Sequence, residues 1–195
     1  MSDLFATMVG ATPLTAEEEE GLKQTWIATR ANLNSAEESN IEQALTWLRR
    51  QRSKDVLRED FVLKLHKQML GEVWTWAGAY RTTGKNLGVD PVQIRIRLLS
   101  LFDDTKYWIE NGTFSVDEIA IRFHHQLVAI HPFVNGNGRH ARLMADHLIQ
   151  KLGGVVFTWG HQSLIENGKT RDEYLTALKA ADRLDIEPLL EFSRT

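Results

Sequence analysis

The chain is 195 residues long, 43% hydrophobic and 25% charged, with a formal net charge of −3. These are ordinary values for one globular domain with a sizeable core, and the charge provides no basic field for a nucleic-acid partner. Cysteine is absent, which excludes a disulfide scaffold and thiolate zinc sites and fits a reducing compartment. The opening residues, MSDLFATMVGATPLTAEEEE, lack a basic stretch and a long apolar core, and no apolar run approaches the roughly eighteen residues of a membrane span. The expectation is a cytoplasmic protein with no membrane partner, for which direct nucleic-acid binding is not expected.

Helix signals dominate in chain order. Thr15 with Glu18, Ser35 with Glu38, Ser115 with Glu118 and Thr170 with Glu173 each fit the capping-box spacing. After Ser35, apolar Ile41, Leu45 and Leu48 recur at helical spacing. REDFVLKLHKQML, ended by Gly71, predicts a helix with Phe61, Leu65 and Met69 on one side. AYRTTGKNLGVD has a threonine pair, then Gly84 and Asn86 as turn formers, and predicts a small β-hairpin. Asp90-Pro91 opens a helix that runs through Leu98, Leu99, Phe102 and Trp108 and is closed by Asn111-Gly112. The next helix carries Ile119, Phe123, Leu127 and Ile130 to the segment HPFVNGNGRHAR. Another starts near Gly138 and ends at Gly153-Gly154, and a last pair covers Thr170 to Asp182 and about Pro188 to Phe192. The fold class is mostly α with one hairpin.

HPFVNGNGRHAR, His131 to Arg142, carries chemistry. A helix N-terminus presents unpaired N–H groups and partial positive charge, and glycine lets a phosphate approach the backbone. Gly136, Asn137 and Gly138 therefore read as an anion cradle. Arg139 and Arg142 share one side of the first turn and suit a polyphosphate. His131 ends the preceding helix, where its imidazole titrates near neutral pH and serves as a general base. Phe133 reads as a plug in the core beneath the loop.

The full spacing resembles the signature of the Fic family, HxFx(D/E)GNGRxxR. VWTWAGAYRTTGKNLGVD resembles that family's flap, and RDEYLTALKAADRLDIEPLLEF resembles its closing helices. The chain looks closest to the small bacterial Fic proteins called mobile mystery protein B. The resemblance implies a Fic-type helical bundle with one β-hairpin flap, made of a core at 55–195 behind an N-terminal helical extension at 1–54. It implies a protein adenylyltransferase that moves AMP from ATP, with Mg²⁺, to a Ser, Thr or Tyr hydroxyl of a target protein. His131 then becomes the base, assisted by Asn137 and Arg139. Gly136, Asn137, Gly138, Arg139 and Arg142 hold phosphates, and Asp182 stands where relatives contact adenine with an asparagine. Thr83, Gly84, Lys85, Asn86 and Leu87 form the target-docking flap. A small helix-turn-helix protein is the implied partner.

The departure from the pattern is Asn135, where the family carries the acidic Mg²⁺ ligand. It leaves open a non-catalytic or weakly active nucleotide-binding protein acting through a partner. A Doc-like phosphotransferase is a further alternative, disfavoured by the intact GNGR. A metal hydrolase built on His124, His125 and His131, with His140 or His147, is weaker, because adjacent helical histidines diverge by about 100°. Many Fic proteins are restrained by a helix of pattern (S/T)xxxE(G/N) whose Glu pairs with the second motif arginine. SAEESNIEQALTWL, 35–48, resembles it loosely, with Glu42 the first inhibitory candidate and Glu37 the second.

Overall fold

A computed structural model describes residues 13–52, 55–160 and 168–195. Helix α1 (Ala16–Glu19) is a single turn closed by the expected capping box between Thr15 and Glu18. Helix α2 (Arg30–Arg49) begins earlier than expected. Thr29 accepts from Asn32 N and is the cap, so Ser35 lies inside the helix. Helix α3 (Glu59–Leu70) ends at Gly71, with Phe61, Leu65 and Met69 buried as predicted. A 3₁₀ turn at Pro91–Gln93, capped by Asp90, leads into α4 (Ile94–Asn111), which stops at left-handed Gly112. Then come α5 (Val116–Ile130), capped by Ser115, and α6 (Asn137–Lys151). Helix α7 (Lys169–Ala181) is capped by Gly168, so Thr170 is a first-turn residue and not the cap. Helix α8 (Glu187–Arg194) closes the described chain.

The expected β-hairpin is absent. Among the described residues the only β pairing is an isolated antiparallel bridge between Leu22 and Trp74, and 81–90 is irregular with bends at 83 and 86–89. Arg81 holds the bent segment instead. Its guanidinium takes the carbonyls of Thr83 and Val89, which a strand ladder would need for itself.

Helices α5 and α6 form the spine and pack on each other most extensively. One face of the pair, with Phe123, Leu127, Ile130, Ala141, Met144 and Leu148, joins the core built with α2, α3 and α4. The other, with Ala120, Ile121, Ala145 and Ile149, joins a second core with α7 and α8. Ahead of α3, Ile27, Leu33, Ala44 and Leu48 join the same first core. Asn40 of α2 also bonds Gln68 O and Glu72 N at the end of α3. The loop between the spine helices, 131–136, is thereby fixed at one end of a doubly packed pair.

Candidate active site

His131 is the C-terminal cap of α5 in the left-handed region, φ 54° and ψ 60°. That conformation is strained for a residue with a Cβ. Arg81 holds it by donating from Nε to His131 O at 2.7 Å, while Arg81 N donates to Pro132 O at 3.0 Å. Burial, and then the charge of Arg81, pushes the imidazole down to about 4. The expectation of titration near neutral pH is therefore corrected. The ring is neutral at pH 7 and free of a proton on one nitrogen, as a base requires.

The loop that follows is pinned from within. Phe133 is fully buried as the expected plug and stacks on His66 with ring centroids 3.7 Å apart. Gly78 N donates to His66 Nδ1 at 2.9 Å, which leaves Nε2 to donate to Asn135 O at 3.0 Å. Asn137 accepts from Phe133 N at 2.9 Å and donates to Phe133 O at 2.8 Å. Its side chain is thus a loop clamp, and only its backbone N–H remains for the cradle. Gly136 sits at φ 78°, and a Cβ there would lie 2.6 Å from Leu70.

Gly136 offers no side-chain cap, so the first-turn N–H groups of α6 point out of the helix without one. A Cβ placed on Gly138 would meet Arg142 Nη1 at 3.8 Å and the Tyr174 hydroxyl at 3.9 Å, both at ordinary van der Waals distance. Tyr174 bonds Arg142 and meets His124 Nε2 at 3.0 Å. Arg171, one turn earlier on α7, feels burial first and then the charges of Arg142 and Arg139, all of which lower its pKa. The result is an uncapped helix N-terminus beside three guanidinium groups, an arrangement that attracts a polyanion.

One carboxylate intrudes. Glu37 Oε2 lies 2.6 Å from Arg139 Nη1, and its Oε1 accepts from Trp74 Nε1 at 2.7 Å. The sequence pattern pairs an inhibitory glutamate with Arg142, with Glu42 the first candidate. In the structure Glu37, the second candidate, pairs with Arg139 and not with Arg142. Glu37 is buried against Arg139, whereas Glu42 is exposed, five residues on and about 140° around α2.

In the flap segment, Thr83 Oγ1 donates to Glu18 Oε1 at 3.0 Å, and Lys85 pairs with Glu18 Oε2 and with Pro13 O. Gly84, Asn86 and Leu87 are exposed. Asp182 is also exposed, holding His125 at 2.8 Å from the far end of α7. That places it ~16 Å along the helix axis from Arg171.

The protein's own donors do not fit a dedicated Mg²⁺ site. Asn135 offers a neutral amide oxygen that already accepts from Gly136 N at 2.6 Å, where a hard cation favours carboxylates. Among the described residues no three His, Cys, Asp or Glu side chains converge to hold a metal. The histidines of the hydrolase reading disperse, with His125 on Asp182, His140 on Val62 O and His147 stacked on Phe61.

The residues missed in the sequence are Arg81, His66, Glu18, Tyr174 and Arg171. Tyr174 and Arg171 had a signal, an i and i+3 pair in the closing helices. His66 and Glu18 act on partners far away in sequence, and Arg81 acts on main-chain carbonyls.

Residues 56–149 match the model of the Fic/DOC family. The chain is 31% identical over 146 residues to protein adenylyltransferase fic-1 of Caenorhabditis elegans, covering 71% of this chain and 27% of that protein. It is 30% identical over 136 residues to protein adenylyltransferase Fic of Drosophila grimshawi, covering 67% and 26%. The chain thus spans about a quarter of the length of these curated relatives. Among solved structures, Fic-1 from C. elegans superposes with a TM-score of 0.66 at 28% identity, covering 90% of this chain and 56% of that one. BepC of Bartonella tribocorum, with bound AMPPNP, superposes with a TM-score of 0.70 at 17% identity, covering 92% and 97%, and shares the fold. No described helix is long and apolar enough to cross a membrane. The matched segment contains the bent flap, α5, the loop that follows it and α6 as far as residue 149, and over that segment the chain carries a Fic/DOC family domain.

Proposed function

We propose that this protein is a protein adenylyltransferase that takes ATP and modifies a Ser, Thr or Tyr hydroxyl of a target protein. The observation that carries the reading is the uncapped N-terminus of α6 with Arg139 and Arg142, joined to neutral His131 by a loop that Asn137 clamps. His131 accepts the hydroxyl proton as the oxygen attacks the α-phosphorus. The bond from that phosphorus to the bridging oxygen breaks, and pyrophosphate leaves. The N–H groups of 137–139 and the arginines carry the phosphate charge. Asp182 is the proposed adenine contact, and 83–87 the segment on which the target docks.

Three further points belong to the same reading. Mg²⁺ would be carried by the nucleotide's phosphates, with Asn135 a weak ligand at most. The protein is divided into an extension at 1–54 and a Fic core at 55–195, and acts in the cytoplasm, in line with its lack of cysteine. Membership of the mobile mystery protein B group, and a helix-turn-helix partner, rest on sequence resemblance alone.

Glu37 supports a restrained resting state. A carboxylate on Arg139 competes for the charge that a triphosphate needs. Glu37→Gln removes the charge and keeps an oxygen for Trp74 Nε1, so its transfer rate should rise severalfold. The test of the main reading is incubation with ATP labelled at the α- or the γ-phosphate, beside GTP, CTP and UTP. Protein label from the α-phosphate supports nucleotidyl transfer. Label from the γ-phosphate alone indicates a Doc-like phosphotransferase. Nucleotide binding without label indicates the non-catalytic alternative.

A further inference from the structure

Arg81 is 2% exposed, one of the largest fully buried side chains in the molecule. A buried cation is unfavourable unless its protons are satisfied. Arg81 has no ion-pair carboxylate at hydrogen-bond distance among the described residues, and its guanidinium ends on three backbone carbonyls. Nε donates to His131 O at 2.7 Å, Nη1 to Thr83 O at 2.9 Å and Nη2 to Val89 O at 2.5 Å. Two of these carbonyls belong to the two sides of the flap, and the third belongs to the base. The backbone follows the same geometry, with Arg81 N on Pro132 O and Val89 N on Ile130 O at 3.3 Å. Gly88, at φ 97°, lets the flap come so close that a Cβ would lie 2.5 Å from His131 Cβ and 2.7 Å from Arg81 Nη2.

We propose that Arg81 is a positioning residue that fixes the distance and angle between the docking flap and His131, so that a docked hydroxyl meets the base in line. This inference rests on the adenylyl-transfer reading for its consequence in rate, but the coupling itself is a property of the fold. The planar guanidinium suits the task, because its donors leave in fixed directions and bind three segments at once. A lysine offers one flexible ammonium and cannot span them all. The phosphate cradle lies on the other side of the loop, on α6, and none of its groups bonds Arg81 in the contacts above. Loss of Arg81 should therefore disturb attack and target docking and leave nucleotide binding alone.

The test uses the full chain with Arg81→Met and Arg81→Lys, the latter keeping the charge if the former fails to fold. Three quantities are read: hydrogen exchange along the backbone, ATP affinity, and the rate of AMP transfer with its dependence on acceptor concentration. The proposal expects exchange to rise at 82–90 and 130–133 while α3 and α6 keep their protection. It expects ATP affinity within about threefold of wild type, a transfer rate lower by about 10²-fold for Met, a raised acceptor KM, and partial recovery with Lys. Exchange that rises uniformly makes Arg81 merely structural and overturns the proposal, as does unchanged exchange in the flap. Local loosening with an unchanged transfer rate also overturns it. If wild type transfers no AMP at all, the adenylyl reading fails by itself, and the exchange pattern still decides whether Arg81 couples flap to base.

Discussion

His131 combines a strained backbone, burial and a neutral ring in one residue. A base with its pKa lowered to about 4 is deprotonated throughout the neutral range and loses function only as pH falls through that value. Transfer should therefore show no acid limb from His131 between pH 8 and 6, and the limb should appear in the region of pH 4 to 5. A rate profile in which His131 governs a break near 6.5 contradicts the buried, neutral ring. His131→Ala should lower transfer by about 10²–10⁴ while ATP binding persists, since a base acts on a proton and not on the phosphate clamp. The sequence made this residue legible because His, Gly and Arg chemistry is written in twelve contiguous positions. Arg81 was not legible, because its partners are main-chain carbonyls, and a carbonyl leaves no mark in a sequence. The same holds for His66, whose task is to grip Asn135 O and Gly78 N.

At the scale of elements, the helices were readable from caps and periodicity, and the flap was not. Thr15, Asp90, Gly112 and Ser115 act at the predicted ends. Thr29 displaced Ser35 because the helix extends a turn and a half further back, where the apolar pattern is thin. The flap is bent around Arg81 and carries no strands, and its outer side is tied to α1 by Glu18. Burial works to raise the Glu18 pKa, but the bonds from Lys85, Thr15 and Thr83 outweigh it, and the net direction is down. Its contribution is thus present above the ordinary carboxylate pKa of 4.5 and is lost as pH falls through the lower folded value. Glu18→Gln at neutral pH should loosen the flap in the same way, seen as faster amide exchange at 83–87 with the helices unchanged. Equal exchange in wild type and variant would show that Lys85 and Thr83 gain nothing from Glu18.

For the whole molecule, buried histidines set the acid limit of stability. His66 is held well below its ordinary pKa by burial, His124 is pushed to about 3, and His140 and His147 to about 4. Unfolding returns each toward the ordinary value of 6.5, so below that pH the unfolded chain binds more protons than the folded one. The unfolding free energy should be steady above pH 7 and fall as pH drops from about 6.5 toward 4. Urea denaturation at pH 7.5 and pH 5 measures it, and equal midpoints would contradict the burial of these rings. The two cores share α5 and α6, and the loop at 131–136, where the proposed chemistry lies, joins these helices with Phe133 set in the first core. The most direct test is intact-protein mass spectrometry of wild type, His131→Ala and Glu37→Gln after incubation with ATP and Mg²⁺. Adenylyl transfer predicts an AMP adduct on wild type, more of it on Glu37→Gln and none on His131→Ala. An adduct that persists in His131→Ala, or a phosphate adduct in place of AMP, contradicts it.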